Sequence, residues 1–308
     1  MPRLYNEAMM RKRKEQLAKP VDARKPIERL FEGGFFLCAC MSVLAIALIS
    51  VFIFVRGVPA ITQIGLFNFL FGTTWKPSGD IFGILPMIVN SLLSGLLAVL
   101  IGSVIGILTA CFMTDIAGKR MQKIMRPAID LLAGIPSVVY GFFGLMVIVP
   151  TISSLFGGFG LSMLAVIIIL SMMILPTVVS ITVDAIHAVP KEYREGSLAL
   201  GATKMQTLFH VVLPAAKKTI LAGVVLGMGR AIGETMAVLL VSGNRAFLPT
   251  SILDPIRTLT GNVALEMGYA TGLHLDALYG TGVVLFVFIM ALNLFLRALS
   301  HERGKAQQ

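Results

Sequence analysis

The chain has 308 residues, 56% of them hydrophobic and only 14% charged, with a formal net charge of +10. A soluble globular domain carries about 25% charged residues, so this composition excludes an ordinary water-soluble protein. Its three cysteines are too few for a disulfide framework, and the basic charge has to be weighed against the apolar content before it is assigned to nucleic acid.

Residues 1–32 are polar and basic, with the run Arg11-Lys12-Arg13-Lys14. They read as a cytoplasmic N-terminal segment ahead of an uncleaved anchor, because a cleavable leader is shorter and ends on a small-residue site. A bilayer crossing needs about 20 apolar residues. Six such runs follow, near 33–55, 84–112, 127–150, 161–183, 219–242 and 279–299. The connection 56–83 carries Phe67, Phe69, Phe71 and Trp75, side chains suited to the membrane–water boundary. Gly102 and Gly106 in the second span, and Gly223/Gly227 and Gly229/Gly233 in the fifth, have the small-xxx-small spacing that lets helix backbones approach. The third span contains Gly134, Pro136, Ser137 and Gly141. Freed backbone groups at such a break survive at membrane depth only against protein or water, so the break faces a partner or pathway, or is a kink filled by packing. The loop 243–278 holds Pro249 and Pro255 and is expected to be partly irregular, and a short tail, 300–308, closes the chain.

Of the 26 Lys and Arg residues, 21 lie in 1–32, 113–126, 184–218 and after 296. The positive-inside rule then places both termini and the loop 184–218 in the cytoplasm. The net charge is a topology signal with some attraction to membrane lipid headgroups, and it calls for no nucleic-acid partner. Cys38, Cys40 and Cys111 fall in predicted spans and read as small buried apolar residues. His187, His210, His274 and His301 lack ligand spacing, so no metal site is expected. The chain has no phosphate-binding Gly-x4-Gly-Lys-Ser/Thr loop, and Gly227-x-Gly229 is followed by Ile232 where a dinucleotide fingerprint needs a third Gly. Energy must come from another subunit or from an ion gradient.

The most informative stretch is 190–214. Pro190 suits a first helical turn, Gly201 the left-handed stop of that helix, and Thr203 with Gln206 a capping box opening a second helix that should end near Pro214. By pattern alone this is a basic helix–turn–helix connector, but it is tied to membrane spans at both ends. The fifth span reads Gly229-Arg230-Ala-Ile-Gly233-Glu234-Thr235-Met236. Arg230 falls about 11 residues into the predicted helix, about 16 Å deep, with Glu234 one turn on along the same face. Each such charge costs on the order of 3 kcal/mol in lipid. A structural clamp between helices is one reading, although the Arg-first order is the poorer one for a helical pair. The other is an anion pathway, since a guanidinium presents a planar fork of donors to oxyanions.

The spacing Glu195-Gly196-Ser197, Gly201, then Val211-x-Leu213-Pro214, resembles the coupling motif of ATP-binding-cassette importer permeases, with Gly196-Ser197 in place of the usual alanine pair and Val211 in place of the usual isoleucine. The stretch from Gly227 through Arg230, Glu234 and Thr235 to Ser242-Gly243-Asn244, together with Asp130 to Gly141, is similar to the permease subunits of phosphate importers, the PstC family. The resemblance runs from about residue 35 to 299. It implies an all-α polytopic membrane protein of the type I importer permease kind, with a six-helix domain at 33–299 and a cytoplasmic coupling-helix loop. It further implies pairing with a second homologous permease, a cytoplasmic ATPase dimer docked on Glu195, Gly196, Ser197, Gly201, Leu213 and Pro214, and an extracytoplasmic binding protein that delivers phosphate. The chain itself would then be no enzyme and bind no cofactor, ATP and Mg being used by the ATPase. Arg230, Glu234 and Thr235 are the expected substrate path, with Gly134, Pro136 and Ser137 as helix-break or pathway residues. The same machine carrying sulfate or molybdate, and an ion-coupled secondary transporter, are the alternatives.

Overall fold

The computed structural model describes the backbone of residues 25–305 and the side chains of 31–294. The basic segment expected at 1–32 lies largely outside the described residues, as do the side chains of the tail. The chain divides into two compact units, Met1–Phe52 and Ile53–Gln308. In the first, the described residues belong to α1 (Lys25–Ile64). Phe35, Phe36, Val43, Leu44 and Ile49 are all exposed, so the helix is apolar on every side, as a lipid-facing span requires. Cys38 and Cys40 are exposed on it rather than buried as the sequence suggested; only Cys111 is inside.

The second unit contains the rest of α1, α2 (Leu66–Phe71), and a short antiparallel hairpin of β1 (Trp75–Lys76) and β2 (Ile81–Phe82), with Trp75 opposite Phe82. Next come α3 (Leu85–Cys111), α4 (Lys119–Gly134), α5 (Ser137–Phe143), α6 (Val149–Phe156) and α7 (Met163–His187). The chain ends with α8 (Lys191–Ala199), α9 (Lys204–Thr207), α10 (Leu213–Gly233), α11 (Met236–Val241), α12 (Leu259–Glu266) and α13 (Gly272–Lys305). Among the described residues, six stretches are long and apolar enough to cross a membrane: Phe31–Ile64, Leu85–Ile116, Ser137–Phe156, Met163–His187, Lys204–Gly233 and Gly272–Leu294.

The first span runs on to Ile64 and the sixth already begins at Gly272, and three further boundaries differ from expectation for a backbone reason. The third span starts at Ser137 and not near 127. Pro136 holds Ile135 extended (φ −69°, ψ 127°), which ends α4, a separate amphipathic helix, at Gly134. The fifth span stops at Gly233, because Glu234 is extended (φ −68°, ψ 131°), and the chain restarts as α11. At its other end this span continues through Pro214, where a stop was expected. A π-helical turn, Leu208–Val212, precedes the proline and accommodates the missing N–H and the ring. The turn Gly144–Ile148 does the same ahead of Pro150, and a third π turn, Phe112–Ile116, prolongs α3.

Helix α7 is the centre of the bundle, with Ile169, Ile174 and Val178 fully buried. It packs on α3 through glycines. A Cβ at Gly102 would lie 2.8 Å from Ile174 and 3.0 Å from the Ser171 carbonyl oxygen, and one at Gly106 would lie 2.9 Å from Val178. Ser171 also donates to the Ala98 carbonyl at 3.1 Å. Gly223 meets Ile181 of α7 in the same way, whereas Gly229 and Gly233 face open space within this chain. The first N–H groups of α7 are satisfied by loop carbonyls, Met163 N–H by Asp254 (2.9 Å) and Leu164 N–H by Ile252 (2.8 Å). The loops 65–84, 157–162 and 243–258 thus gather at one end of the bundle, and the turn at 117–118 with 188–203 lies at the other.

Candidate functional site

At the second of these ends, Pro190 caps α8 and Gly201 takes φ +87°, a left-handed stop that frees the chain to turn. Ala202 N–H reaches back to the Ser197 carbonyl (3.2 Å), and Gly201 N–H to Leu198 (3.0 Å). The Thr203–Gln206 capping box forms as expected: Thr203 N–H donates to Gln206 Oε1 at 2.8 Å and Gln206 N–H to Thr203 Oγ1 at 3.3 Å. Ser197 and Thr207 hydroxyls then bond at 2.9 Å and lock α8 to α9. What this rigid elbow presents outward is notable chemically. Leu200 is 91% exposed, Glu195 is exposed, and a Cβ at Gly196 or Gly201 would meet nothing within 4 Å. An apolar tip beside two bare backbone positions is a surface shaped for close approach by another molecule. Leu213 and Pro214, expected to act with this group, belong instead to the first turn of α10.

Inside the bundle, the sequence reading placed Arg230 and Glu234 on one face of one helix. The structure corrects this. Arg230 sits in the last turn of α10, exposed in the isolated chain, while Glu234 lies beyond the helix end. Among the described residues no ion pair joins them. Glu234 serves the next helix: its carboxylate accepts the Ala237 N–H at 3.1 Å, capping α11, and Thr235 Oγ1 donates to the Gly233 carbonyl at 3.3 Å. The break at Gly134–Ser137 lies beside this one. Tyr140 donates to the Leu132 carbonyl at 2.9 Å across its own break and is within electrostatic reach of Arg230. A Cβ at Gly141 would lie 2.9 Å from Ala237 Cα. Two interrupted helices therefore meet, and Arg230, exposed in the isolated chain, stands at one of the breaks with no ion-pair partner among the described residues. Such an arrangement holds against water or protein and not against lipid.

Sequence reasoning missed two groups. Arg194 of α8 pairs with Asp115 in the π turn after α3, both half-buried or better. At the opposite end Glu266 is 5% exposed and holds three partners: Arg257 Nη1 at 2.6 Å, Trp75 Nε1 at 2.8 Å and His274 Nε2 at 2.8 Å. Trp75, expected as a boundary aromatic, is turned inward to this carboxylate, and Phe69 is fully buried; Phe67 and Phe71 remain exposed. Thr260, on the same helix α12 as Glu266, donates to the Glu234 carbonyl at 2.9 Å and so links this cluster to the break. No spacing rule signals pairs separated this far in sequence. In the nearby loop the Thr250 hydroxyl, followed by the Thr250 and Ser251 N–H groups, holds the Asp254 carboxyl below the usual carboxylate range. No three His, Cys, Asp or Glu side chains among the described residues converge as a metal site would require.

Residues 102–301 match the family model described as binding-protein-dependent transport system inner membrane component. The chain belongs to this family of ATP-binding-cassette importer permeases. It is 44% identical over 273 residues to the probable ABC transporter permease protein YqgH of Bacillus subtilis (strain 168), covering 86% of this chain and 88% of that one. It is 33% identical over 293 residues to the phosphate transport system permease protein PstC of Xylella fastidiosa (strain 9a5c), covering 87% and 90%. The fold matches the crystal structure of a bacterial alginate ABC transporter in complex with an alginate pentasaccharide-bound periplasmic protein, with a TM-score of 0.64 at 18% identity over 92% of this chain and 98% of that one. The permease is therefore a multi-pass inner-membrane component whose family works with a separate ATPase and a binding protein. Membership removes the ion-coupled alternative.

Proposed function

We propose that the permease forms, with a second homologous permease, a path for inorganic phosphate delivered by an extracytoplasmic binding protein. Residues 190–214 dock into a cytoplasmic ATPase dimer, and both termini face the cytoplasm. The chain itself binds no nucleotide; ATP and Mg are handled by the ATPase. The observation that carries this reading is Arg230 at the meeting of two broken helices, with no ion pair to it among the described residues. A planar, unpaired guanidinium at a helix break suits a tetrahedral oxyanion, and Thr235 and Glu234 stand at the same break. Phosphate is favoured over sulfate or molybdate by the phosphate permeases among the relatives. Alternating access follows from α8–α9 moving as one body with the ATPase while α10 carries that motion to the break.

The test is uptake of labelled phosphate by the reconstituted assembly, with sulfate and molybdate as competitors. Arg230→Gln is expected to reduce uptake strongly while the subunits still co-purify, and Arg230→Lys to restore it only in part. Full uptake by Arg230→Gln would remove the guanidinium from the path, and competition by sulfate or molybdate equal to that by unlabelled phosphate would overturn the substrate.

A further inference from the structure

We infer that Arg194 and Asp115 are positioning residues that carry motion of the coupling elbow sideways into the third span, a second route beside the covalent one through α10. The inference rests on the reading of residues 190–214 as the ATPase handle.

The route is continuous in contacts. Arg194, on α8, offers its guanidinium fork to Asp115, pairing Nη1 with Oδ1 and Nη2 with Oδ2, the latter at 3.5 Å. Asp115 Oδ2 also accepts from the Thr114 hydroxyl at 2.8 Å, and the Asp115 side chain is only 11% exposed, so the pair is not a loose surface contact. Asp115 belongs to the π turn Phe112–Ile116, whose loosened backbone is gripped by Gln122 of α4: its Nε2 donates to the Met113 carbonyl (2.8 Å) and to the Ala117 carbonyl (3.1 Å). Met125 and Ile129 of α4 pack with Met113 against Val179 and Val183 of α7. Helix α4 then ends at the Ile135–Pro136 hinge, and Tyr140 bridges that hinge back to Leu132. One turn on, Gly141 abuts Ala237, just past Glu234.

Displacement of α8 therefore has two outlets to the same place. One is the helix Lys204–Gly233, which ends at the break. The other runs through Asp115, the π turn and α4 to the partner break at Pro136. With only the first, motion reaches the break at Pro136 through the packing of Gly141 on Ala237 alone. With both, they are driven together, which is what a path lined by both needs in order to open at one side and close at the other. The charge fork is the only side-chain ion pair among the described residues that joins α8 to the rest of the bundle.

The test uses the assembled importer in lipid vesicles, with Cys38, Cys40 and Cys111 changed to Ala and spin labels introduced through Ile124→Cys on α4 and Lys191→Cys on α8. In the otherwise native chain the 124–191 separation should stay constant between the nucleotide-free and ATP–vanadate-trapped states, because the two helices move as one unit. In Arg194→Gln or Asp115→Asn it should diverge on trapping, and uptake per ATP hydrolysed should fall about five-fold or more, the low end of typical coupling between sites. The swap Asp115→Arg with Arg194→Asp should restore both. A separation that changes in the native chain, or that stays fixed in the neutral variants, overturns the inference. Should the neutral variants fail to assemble, Arg194→Lys decides, since it keeps the charge and loses the fork: a separation unaffected by trapping again overturns it. Cross-linking of position 200 to the ATPase is scored in the same vesicles. Its absence counts against the handle, while the label separation still judges the pair.

Discussion

Glu266 is the best single test of the packing, because one carboxylate organises the end of the bundle opposite the coupling elbow. Glu266→Gln keeps the shape and one acceptor oxygen, but turns the other oxygen into an amide donor facing either Arg257 or the pair Trp75 and His274, now 2.6 to 2.8 Å away. At least one donor then meets a donor. The guanidinium, 15% exposed, loses its counter-charge. Breaking a buried pair in this way costs about 3–5 kcal/mol. Arg257 still donates to the Asn244 carbonyl at 2.9 Å and to Asn262 Oδ1 at 3.1 Å, which places the expected loss at the low end, about 3 kcal/mol. The assay is built in, since Trp75 is the only tryptophan of the chain and its indole N–H is one of the displaced donors. Unfolding of the purified permease in mixed micelles, followed by tryptophan emission, should show both the lower stability and a shifted emission before unfolding begins. The double change Glu266→Leu with Arg257→Met removes both charges at similar volume and should recover most of the loss. Stability within about 0.5 kcal/mol of the unaltered protein for Glu266→Gln, with unchanged emission, would refute the reasoning.

Three further outcomes are expected. Gly201→Val places a β-branched residue at φ +87°, a left-handed conformation that costs an ordinary L-residue about 1–2 kcal/mol, and sets a side chain on the open face of the elbow. The permease should insert normally yet pull down the ATPase poorly, and normal ATP-dependent uptake at normal expression would contradict this. Thr250→Cys should react with an impermeant thiol reagent added outside cells stripped of any outer barrier, and Met205→Cys should not; the reverse pattern would invert the assigned orientation. The Asp254 carboxyl is held below its ordinary value when folded, so its contribution is present above the ordinary carboxylate range and is lost as pH falls through the depressed value. Protection of the Thr250 and Ser251 amides from hydrogen exchange, taken relative to their intrinsic rates at each pH, should therefore fall on acidification, and in Asp254→Ala it should already be low at neutral pH.

Local features were legible in the sequence where one residue's own conformation decides the outcome. Gly201 stops α8 because only a residue without Cβ takes that turn freely, and Thr203 with Gln206 caps α9 because both groups lie within one turn of chain. The spans were legible in number because apolar content averages over about 20 residues. The break at Pro136 was legible from its own residues, but that same averaging hid the one at Glu234. The apolar run crosses Glu234 with little change in mean character, so nothing in it marks where α10 ends, and the expected pairing of Arg230 with Glu234 assumed a helix that the backbone does not continue. The π turns were hidden as well, since hydrophobic periodicity slips there by one position while Pro214 reads as a stop. Arg194–Asp115 and Glu266–Arg257–Trp75 are products of tertiary packing, joining residues up to 191 positions apart.

The π turns also set the angular phase of what they join. Each is an α turn with one residue wound in, so everything on one side is rotated by about 100° against the other, relative to an unbroken helix. In Leu208–Val212 that extra residue lies between the elbow and its span. Removing one residue there would keep the length of α10 and the chemistry of Glu195 to Gly201, but would turn Leu200 to a different bearing around the bundle axis and carry Arg194 away from Asp115. The elbow would then be intact in composition and aimed at the wrong neighbour. In this permease the direction in which the handle points is encoded by a count of residues in one helical turn, separately from the motif that the handle displays.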